Sequence, residues 1–114
     1  MLSSWRASFR NVRILAIGAV VATIPLATAA DAREYAVVMA NMAYGPIPGT
    51  LKTGDTIVWV NKDSVPHTVT ARDHSFDLRV GPGQSSRLTL TKPGSFQIYC
   101  ILHSPMRGSF TVGG

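Results

Sequence analysis

Polar and apolar residues alternate along several short segments of the chain, and turns containing Pro or Gly separate these segments. The clearest alternation runs from Ser95 to Cys100, where Phe96, Ile98 and Cys100 share one parity and polar residues share the other. Successive side chains of a strand point to opposite faces. The pattern therefore predicts a half-buried β-strand with the cysteine sulfur on the core side.

A second segment places a histidine among core residues. Residues 67–71 form a strand candidate in which His67, Val69 and Ala71 share one face and two threonines share the other. Residues 56–60 are β-branched or aromatic throughout, and their apolar side chains occupy both parities, which predicts a strand covered on both faces. Further strand candidates are 34–42, 85–91 and 107–112.

Short strands at regular spacing, with no helical periodicity after the first 30 residues, predict an all-β, antiparallel sandwich or small barrel. Long-range strand pairing in such folds brings loops that are distant in sequence together at one end.

The N-terminal third has the layout of a secretory signal peptide. A basic head precedes an apolar run over residues 14–29, and small residues follow. We predict a signal peptide helix over residues 1–30, with cleavage after residue 29, 30 or 32, and a single domain over 31–114. The alternative, an uncleaved anchor, is disfavoured because the run is shorter than the roughly 20 residues of a spanning helix and contains Pro25. The basic head contains Arg6, Arg10 and Arg13.

Removal of this leader changes the interpretation of charge. The full chain carries 11 Lys/Arg against 6 Asp/Glu, a formal +5. From Ala30 onward there are eight Lys/Arg against six Asp/Glu, so the balance falls to +2 and no basic run remains. The sequence therefore predicts neither nucleic-acid binding nor, in the mature form, membrane binding.

The chain has one cysteine, so it cannot form an internal disulfide. Cys100, His103 and Met106 follow one another at steps of three, and His67 lies upstream next to a proline. A thiolate, two imidazoles and a possible weak axial thioether are the ligand set of a blue-copper site. We therefore predict that His67, Cys100, His103 and Met106 bind one copper ion.

Three other candidate ligands are given ordinary structural roles. His74 lies in a polar segment without a soft neighbour and is predicted to be a surface loop residue. Met39 and Met42 are predicted to serve packing rather than metal binding.

These motifs resemble the cupredoxins, the type 1 blue copper proteins, and within that family the amicyanin group. The two-residue gap between His103 and Met106 is the amicyanin spacing, whereas plastocyanins and pseudoazurins usually have a longer gap. The resemblance implies a Greek-key β-sandwich, with His67, Cys100 and His103 as equatorial ligands and Met106 as the axial one. It rests on Met42-Ala43-Tyr44, Gly54-Asp55-Thr56, Val58-Trp59-Val60-Asn61, Pro66-His67, Tyr99-Cys100 and Met106-Arg107-Gly108.

Three positions depart from the family pattern. Thr68 replaces the usual Asn that ties the ligand loops together, and its hydroxyl is a candidate for part of that role. Leu102 replaces a common Pro, so its N–H is a hypothetical donor to the Cys100 sulfur. Ser104 is expected to make the exposed rim more polar.

The resemblance implies a periplasmic, monomeric electron carrier rather than an enzyme, cycling between Cu(II) and Cu(I). Its partners would be transient redox proteins, with an amine dehydrogenase as donor and a c-type cytochrome as acceptor. His103 is expected to be the exposed ligand, inside an apolar rim formed by Pro66, Ile101, Leu102 and Pro105.

Three alternatives remain at this point. A periplasmic copper carrier would use the same ligands for delivery. A structural zinc module is disfavoured because zinc sites rarely use Met. A Cys-His hydrolase would need an open nucleophile and a third orienting group, whereas Cys100 is predicted to point inward.

Overall fold

The structure, a computed structural model, describes residues 32–114. The predicted signal peptide, residues 1–30, lies outside the described residues. Within that range the chain forms nine strands and no helix. The strands are β1 (Glu34–Ala40), β2 (Ala43–Tyr44), β3 (Leu51–Lys52), β4 (Thr56–Asn61), β5 (His67–Ala71), β6 (Asp77–Val80), β7 (Ser85–Thr89), β8 (Gly94–Tyr99) and β9 (Arg107–Gly113).

The strands form two sheets, one of four strands in the order β2-β1-β4-β7 and one of five in the order β3-β9-β8-β5-β6. The predicted β-sandwich is confirmed. Two of the pairings, β1 with β4 and β3 with β9, are parallel. The alternation within one strand carries no information on the direction of its neighbours, so these two pairings could not be predicted from the pattern.

The core lies between the two sheets and follows the predicted parities. In β8, Ile98 is fully buried, and Cys100 directly after the strand is buried as well. Burial of both faces was predicted for β4. One face is buried, with Ile57, Trp59 and Asn61, but the residues on the other face are only half-buried. All five residues of β5 are buried, the two threonines included.

Two pairings place the candidate site. β5 runs antiparallel to β8, with Thr70 opposite Tyr99 and Ala71 opposite Ile98. β8 also pairs with β9, so the segment that joins them, residues 100–106, lies at the same end of the sheet as the start of β5. At this end of the sheet, His67 begins β5 and Cys100 directly follows the neighbouring strand β8. Within residues 32–114, no helix is long and apolar enough to cross a membrane.

Candidate metal centre

Three of the four predicted ligands meet at one point. One ligand atom from each of His67, Cys100 and His103 lies within 4.8 Å of the others. The Cys100 Sγ and His67 Nδ1 atoms are 4.0 Å apart, and the two imidazole rings meet edge to face with centroids 5.1 Å apart. Two ligands bound at about 2.0–2.3 Å from one ion can be no more than about 4.6 Å apart. The three side chains therefore have close to the spacing that a single metal ion requires.

His67 is held by a carboxylate on the side of the ring away from Cys100. Its Nε2 lies 2.8 Å from Asp63 Oδ2. A carboxylate accepts but does not donate, so Nε2 carries the proton of the neutral ring and Nδ1 keeps its lone pair on the sulfur side. The ring is completely buried, and its hydrogen bond to Asp63 sets its orientation.

Asp63 also binds the turn between β1 and β2. The main-chain N–H groups of Asn41 and Met42 donate to its two carboxylate oxygens at 2.8 and 2.9 Å. Both residues have positive φ, 53° and 61°. Hydrogen bonds from His67 and from the Met42 N–H lower the pKa of Asp63, so the group is a carboxylate at neutral pH.

The loop between β4 and β5 is organised around a buried amide. Asn61 Nδ2 donates to the carbonyls of Val65 and Val80 at 2.8 and 3.0 Å, and its Oδ1 accepts from the N–H of Asp63 at 2.9 Å. This network positions the Asp63 carboxylate within hydrogen-bond distance of His67 Nε2. Sequence reasoning did not predict a role for either polar residue. The available signal was an acidic residue four positions before a predicted metal-binding histidine, since such histidines usually donate their second ring N–H to a carboxylate or carbonyl.

The second ligand segment is a tight loop closed by its own main chain. The N–H of Cys100 donates to the carbonyl of Met106 at 3.0 Å, and the N–H of Met106 donates to the carbonyl of His103, also at 3.0 Å. Cys100 and Met106 are both buried. The thioether of Met106 is therefore enclosed in the same loop as the thiol and the second imidazole.

His103 is the less buried of the two histidines, as predicted. Its Nε2 lies 3.2 Å from the carbonyl oxygen of Pro66. Because a carbonyl only accepts, Nε2 carries the proton and Nδ1 keeps its lone pair. Both rings thus present the same nitrogen without a proton.

The cysteine sulfur has a main-chain donor, but not the one hypothesised. The N–H of Thr68 donates to Cys100 Sγ at 3.2 Å, whereas the Leu102 N–H makes no hydrogen bond to the sulfur among the described residues. The structure therefore does not support the hypothesis about Leu102, and the donor that it shows at the sulfur is the N–H of Thr68 on the neighbouring strand. The Thr68 hydroxyl does tie the two loops together, since it accepts from the Ile101 N–H at 2.9 Å.

A tyrosine lies close to the buried side of the site. Tyr44 donates its hydroxyl to the carbonyl of Thr68 at 2.6 Å, and its ring meets Trp59 edge to face at 5.9 Å. Burial raises the pKa of this phenol, and the negative charge of a Cys100 thiolate raises it further. Tyr44 is therefore a neutral hydrogen-bond donor at physiological pH and holds the strand that supplies His67.

The remaining candidates separate into correct and wrong predictions. His74 lies in the exposed turn between β5 and β6, as predicted. Met39 is buried in the core, but Met42 is 43% exposed, so the predicted packing role is wrong for Met42. Its position in the sharp β1–β2 turn keeps the side chain out of the core.

The donor chemistry of this site fits copper. A thiol, two imidazole nitrogens with free lone pairs and a buried thioether form a soft to borderline set, and thiolate and thioether select copper over harder cations. Within residues 32–114, no acidic side chain belongs to the group of converging ligand atoms. Calcium and magnesium, which prefer carboxylate oxygens, are therefore a poor match.

The two-sheet fold and this ligand group together define a small metal-binding β-sandwich. Comparisons with known proteins identify the family to which it belongs. The family model for the cupredoxin-like domain matches residues 13–112, and the chain belongs to this family. Amicyanin of Paracoccus denitrificans is 34% identical over 102 aligned residues, which cover 80% of this chain and 78% of that protein.

Two further matches agree with this assignment. The chloroplastic plastocyanin minor isoform of Arabidopsis thaliana is 31% identical over 125 aligned residues, which cover 94% of this chain and 72% of that protein. Among solved structures, the Cu(I) form of a single-site mutant of amicyanin matches with a TM-score of 0.59 and 29% identity, covering 69% of this chain and 81% of the other. Blue-copper electron carriers are thus represented in both comparisons.

Proposed function

We propose that this protein is an electron carrier of the type 1 blue-copper class, with His67, Cys100 and His103 as the strong ligands of one copper ion and Met106 as the weak axial ligand. The observation that supports this most is the convergence of the first three ligand atoms within 4.8 Å. Copper bound there would supply a one-electron Cu(II)/Cu(I) couple. The protein is not an enzyme under this proposal, since Cys100 is buried and closed to a substrate.

The role of the chain is to keep the ligands fixed while the charge of the site changes. His67 is locked by Asp63, the sulfur by the Thr68 N–H, and the loop by main-chain hydrogen bonds. Ligands held in this way need little rearrangement when an electron enters or leaves. A site held rigidly in this way favours rapid electron transfer over delivery of the metal to another protein.

The half-buried His103 is the proposed point of contact with redox partners. Two large apolar side chains beside it are exposed, Ile101 by 53% and Leu102 by 41%. A small apolar patch suits brief contacts between proteins. We propose transient redox partners there, with an amine dehydrogenase as donor and a c-type cytochrome as acceptor, as for the amicyanin group.

The same proposal places the mature protein, residues 31–114, in the periplasm as a monomer after removal of residues 1–30. Both amicyanin and plastocyanin relatives support a protein that functions after export. The arginines of the leader, Arg6, Arg10 and Arg13, account for three units of the formal net charge of +5.

The deciding experiment is the absorption and EPR spectrum of residues 31–114 with one equivalent of Cu(II). We expect an intense blue thiolate-to-copper band, reversible reduction, and slow exchange of the metal with a chelator. Cys100→Ser should abolish the band, Met106→Leu should shift it, and the matched control Met42→Leu should leave it unchanged. A colourless complex that exchanges copper rapidly would contradict electron transfer and support copper carriage, and preference for Zn²⁺ in mixed-metal binding would support a structural module.

A further inference from the structure

The outer face of β5 carries two buried threonines whose hydroxyls belong to one hydrogen-bonded chain. The Ile101 N–H donates to Thr68 Oγ1 at 2.9 Å, Thr68 Oγ1 lies 2.9 Å from Thr70 Oγ1, and Thr70 donates to Asp77 Oδ1 at 2.8 Å. Asp77 lies directly opposite Thr70 on β6. The chain therefore runs from the residue after Cys100 to an exposed carboxylate on the neighbouring strand.

The direction of this chain is fixed by its two ends. Each hydroxyl has a single hydrogen. The Asp77 carboxylate can only accept, so the Thr70 hydrogen points at Asp77. The Thr68 hydrogen must then point at Thr70, which leaves a lone pair of Thr68 Oγ1 for the Ile101 N–H. Every polar group of the chain is satisfied in this one arrangement, and the negative charge at its end strengthens the bonds before it.

Thr68 contacts the peptide segment around Cys100 twice. Its main-chain N–H donates to the sulfur at 3.2 Å and its hydroxyl accepts from the next residue, Ile101. His67 lies on β5 with Thr68, and Cys100 and His103 lie on the loop that Thr68 contacts. Groups that hold the Thr68 side chain in place therefore also hold β5 at a fixed distance from this loop.

We propose that Thr70 and Asp77 are positioning residues for the metal site and act through Thr68. This inference rests on the proposed function for its effect on copper, but not for the hydrogen-bonded chain itself. Neither residue lies among the converging ligand atoms. Loss of the Thr70 hydroxyl would leave Thr68 without its acceptor, weaken the Ile101 contact and loosen the Thr68 N–H from the sulfur. Hydrogen bonds to the sulfur favour the reduced site, so the reduction potential would fall.

The first test uses the metal-free protein and amide hydrogen exchange at Ile101. Thr68→Val should accelerate exchange by about two- to tenfold, the range expected for one net hydrogen bond. Thr70→Val should show a large part of this effect and Asp77→Asn a smaller part, while Thr70→Ser should restore the slow rate. Asp73→Asn is the matched control, because Asp73 is an exposed carboxylate in the same turn region and, among residues 32–114, it accepts hydrogen bonds from the N–H and hydroxyl of Ser75 rather than from the hydroxyl chain. An effect of Thr68→Val with none from Thr70→Val and Asp77→Asn would overturn the proposal.

The second test uses the copper-loaded protein and its reduction potential and charge-transfer band. Thr70→Val should lower the potential and shift the band, and Thr70→Ser should restore both. A purely structural role would reduce thermal stability and leave both readouts at their wild-type values, which would also overturn the proposal. Absence of a blue site in the wild type would instead count against the proposed function, and the exchange experiment would still decide whether the hydroxyl chain acts as described.

Discussion

The main-chain N–H of Thr68 donates to the sulfur of Cys100 across 3.2 Å, from strand β5 to the first residue of the ligand loop. The two residues are 32 positions apart in the chain, and the pairing of β5 with β8 brings them together. The donor belongs to the backbone, so every residue except Pro would supply one at position 68, while the hydroxyl of Thr68 helps to fix how closely this N–H approaches the sulfur. The Thr68 N–H therefore occupies the role that Leu102 was expected to play.

The first prediction concerns Leu102. Since its N–H makes no hydrogen bond to the sulfur among the described residues, Leu102→Pro removes no interaction of the Cys100 thiolate. We expect the reduction potential to change by well under ~60 mV, the equivalent of a tenfold change for a one-electron couple. Protein-film voltammetry of the copper form measures this directly. Leu102→Ala, which keeps the N–H, is the control. A fall of the potential in the proline variant alone would show that the Leu102 N–H does reach the sulfur in the loaded protein.

The second prediction concerns Asp63, which accepts from His67 Nε2 at 2.8 Å. Asp63→Ala removes the partner that fixes the tautomer and orientation of the ring, and loss of such an outer partner typically weakens metal affinity about 10–100-fold. Asp63→Asn keeps an acceptor for the ring but removes the negative charge that favours Cu(II), so its reduction potential should rise while affinity falls less. Competition with a Cu(I) chelator and voltammetry provide the two measurements.

The control for Asp63 is Asp73→Ala, since Asp73 accepts from Ser75 and makes no hydrogen bond to a predicted ligand in the part of the chain that the structure describes. Equal copper affinity in Asp63→Ala and Asp73→Ala would show that the carboxylate does not orient His67.

The limits of sequence reasoning are visible at the site itself. The parity of β5 and β8 was sufficient to place His67 and Cys100 on core-facing positions, because alternation reports directly on burial. The spacing of Cys100, His103 and Met106 was sufficient to predict one loop. These signals are local, and they account for the choice of ligands.

The partners of the ligands are not local, and here the sequence was insufficient. The carboxylate of Asp63 and the amide of Asn61 resemble ordinary turn residues, and their roles follow only from the geometry of the β4–β5 loop. The parallel pairing of β1 with β4 likewise depends on the order of strands in the sheet. The threonines of β5 were assigned to a polar face, yet both are buried because their hydroxyls are satisfied by each other and by Asp77.

The third prediction concerns acid stability and Asp55. This buried carboxylate accepts from the N–H groups of Arg33 and Lys52, both at 2.9 Å, and these two bonds, the Arg33 one first, lower its pKa. The unfolded chain, with an ordinary pKa near ~3.9, then binds the proton more readily than the folded one. The stabilisation is therefore present above about pH 4 and is lost as the pH falls through the folded-state value.

Urea unfolding of metal-free protein between pH 7 and pH 3 tests this dependence. We expect Asp55→Asn to be less stable than the wild type at pH 7 and the difference to narrow as the pH falls below about 4. A difference that stays constant over this range would mean that the ionisation of Asp55 contributes nothing to folding.

The last prediction separates stability from partner contact by means of two isoleucines. Ile98 is completely buried between the sheets, whereas Ile101, three residues later, is 53% exposed beside His103. Ile98→Ala leaves a cavity and should lower the free energy of unfolding by about 2–5 kcal/mol. Ile101→Lys changes an exposed side chain and should change the free energy of unfolding by no more than about 0.5 kcal/mol.

The Ile101→Lys variant also places a charge in the apolar patch, so two copies that meet through that patch would repel each other. We therefore expect slower electron self-exchange of the copper form, measured by NMR line broadening, with recovery at high salt because the repulsion is screened. Unchanged self-exchange in Ile101→Lys would exclude this patch as the surface through which electrons enter and leave.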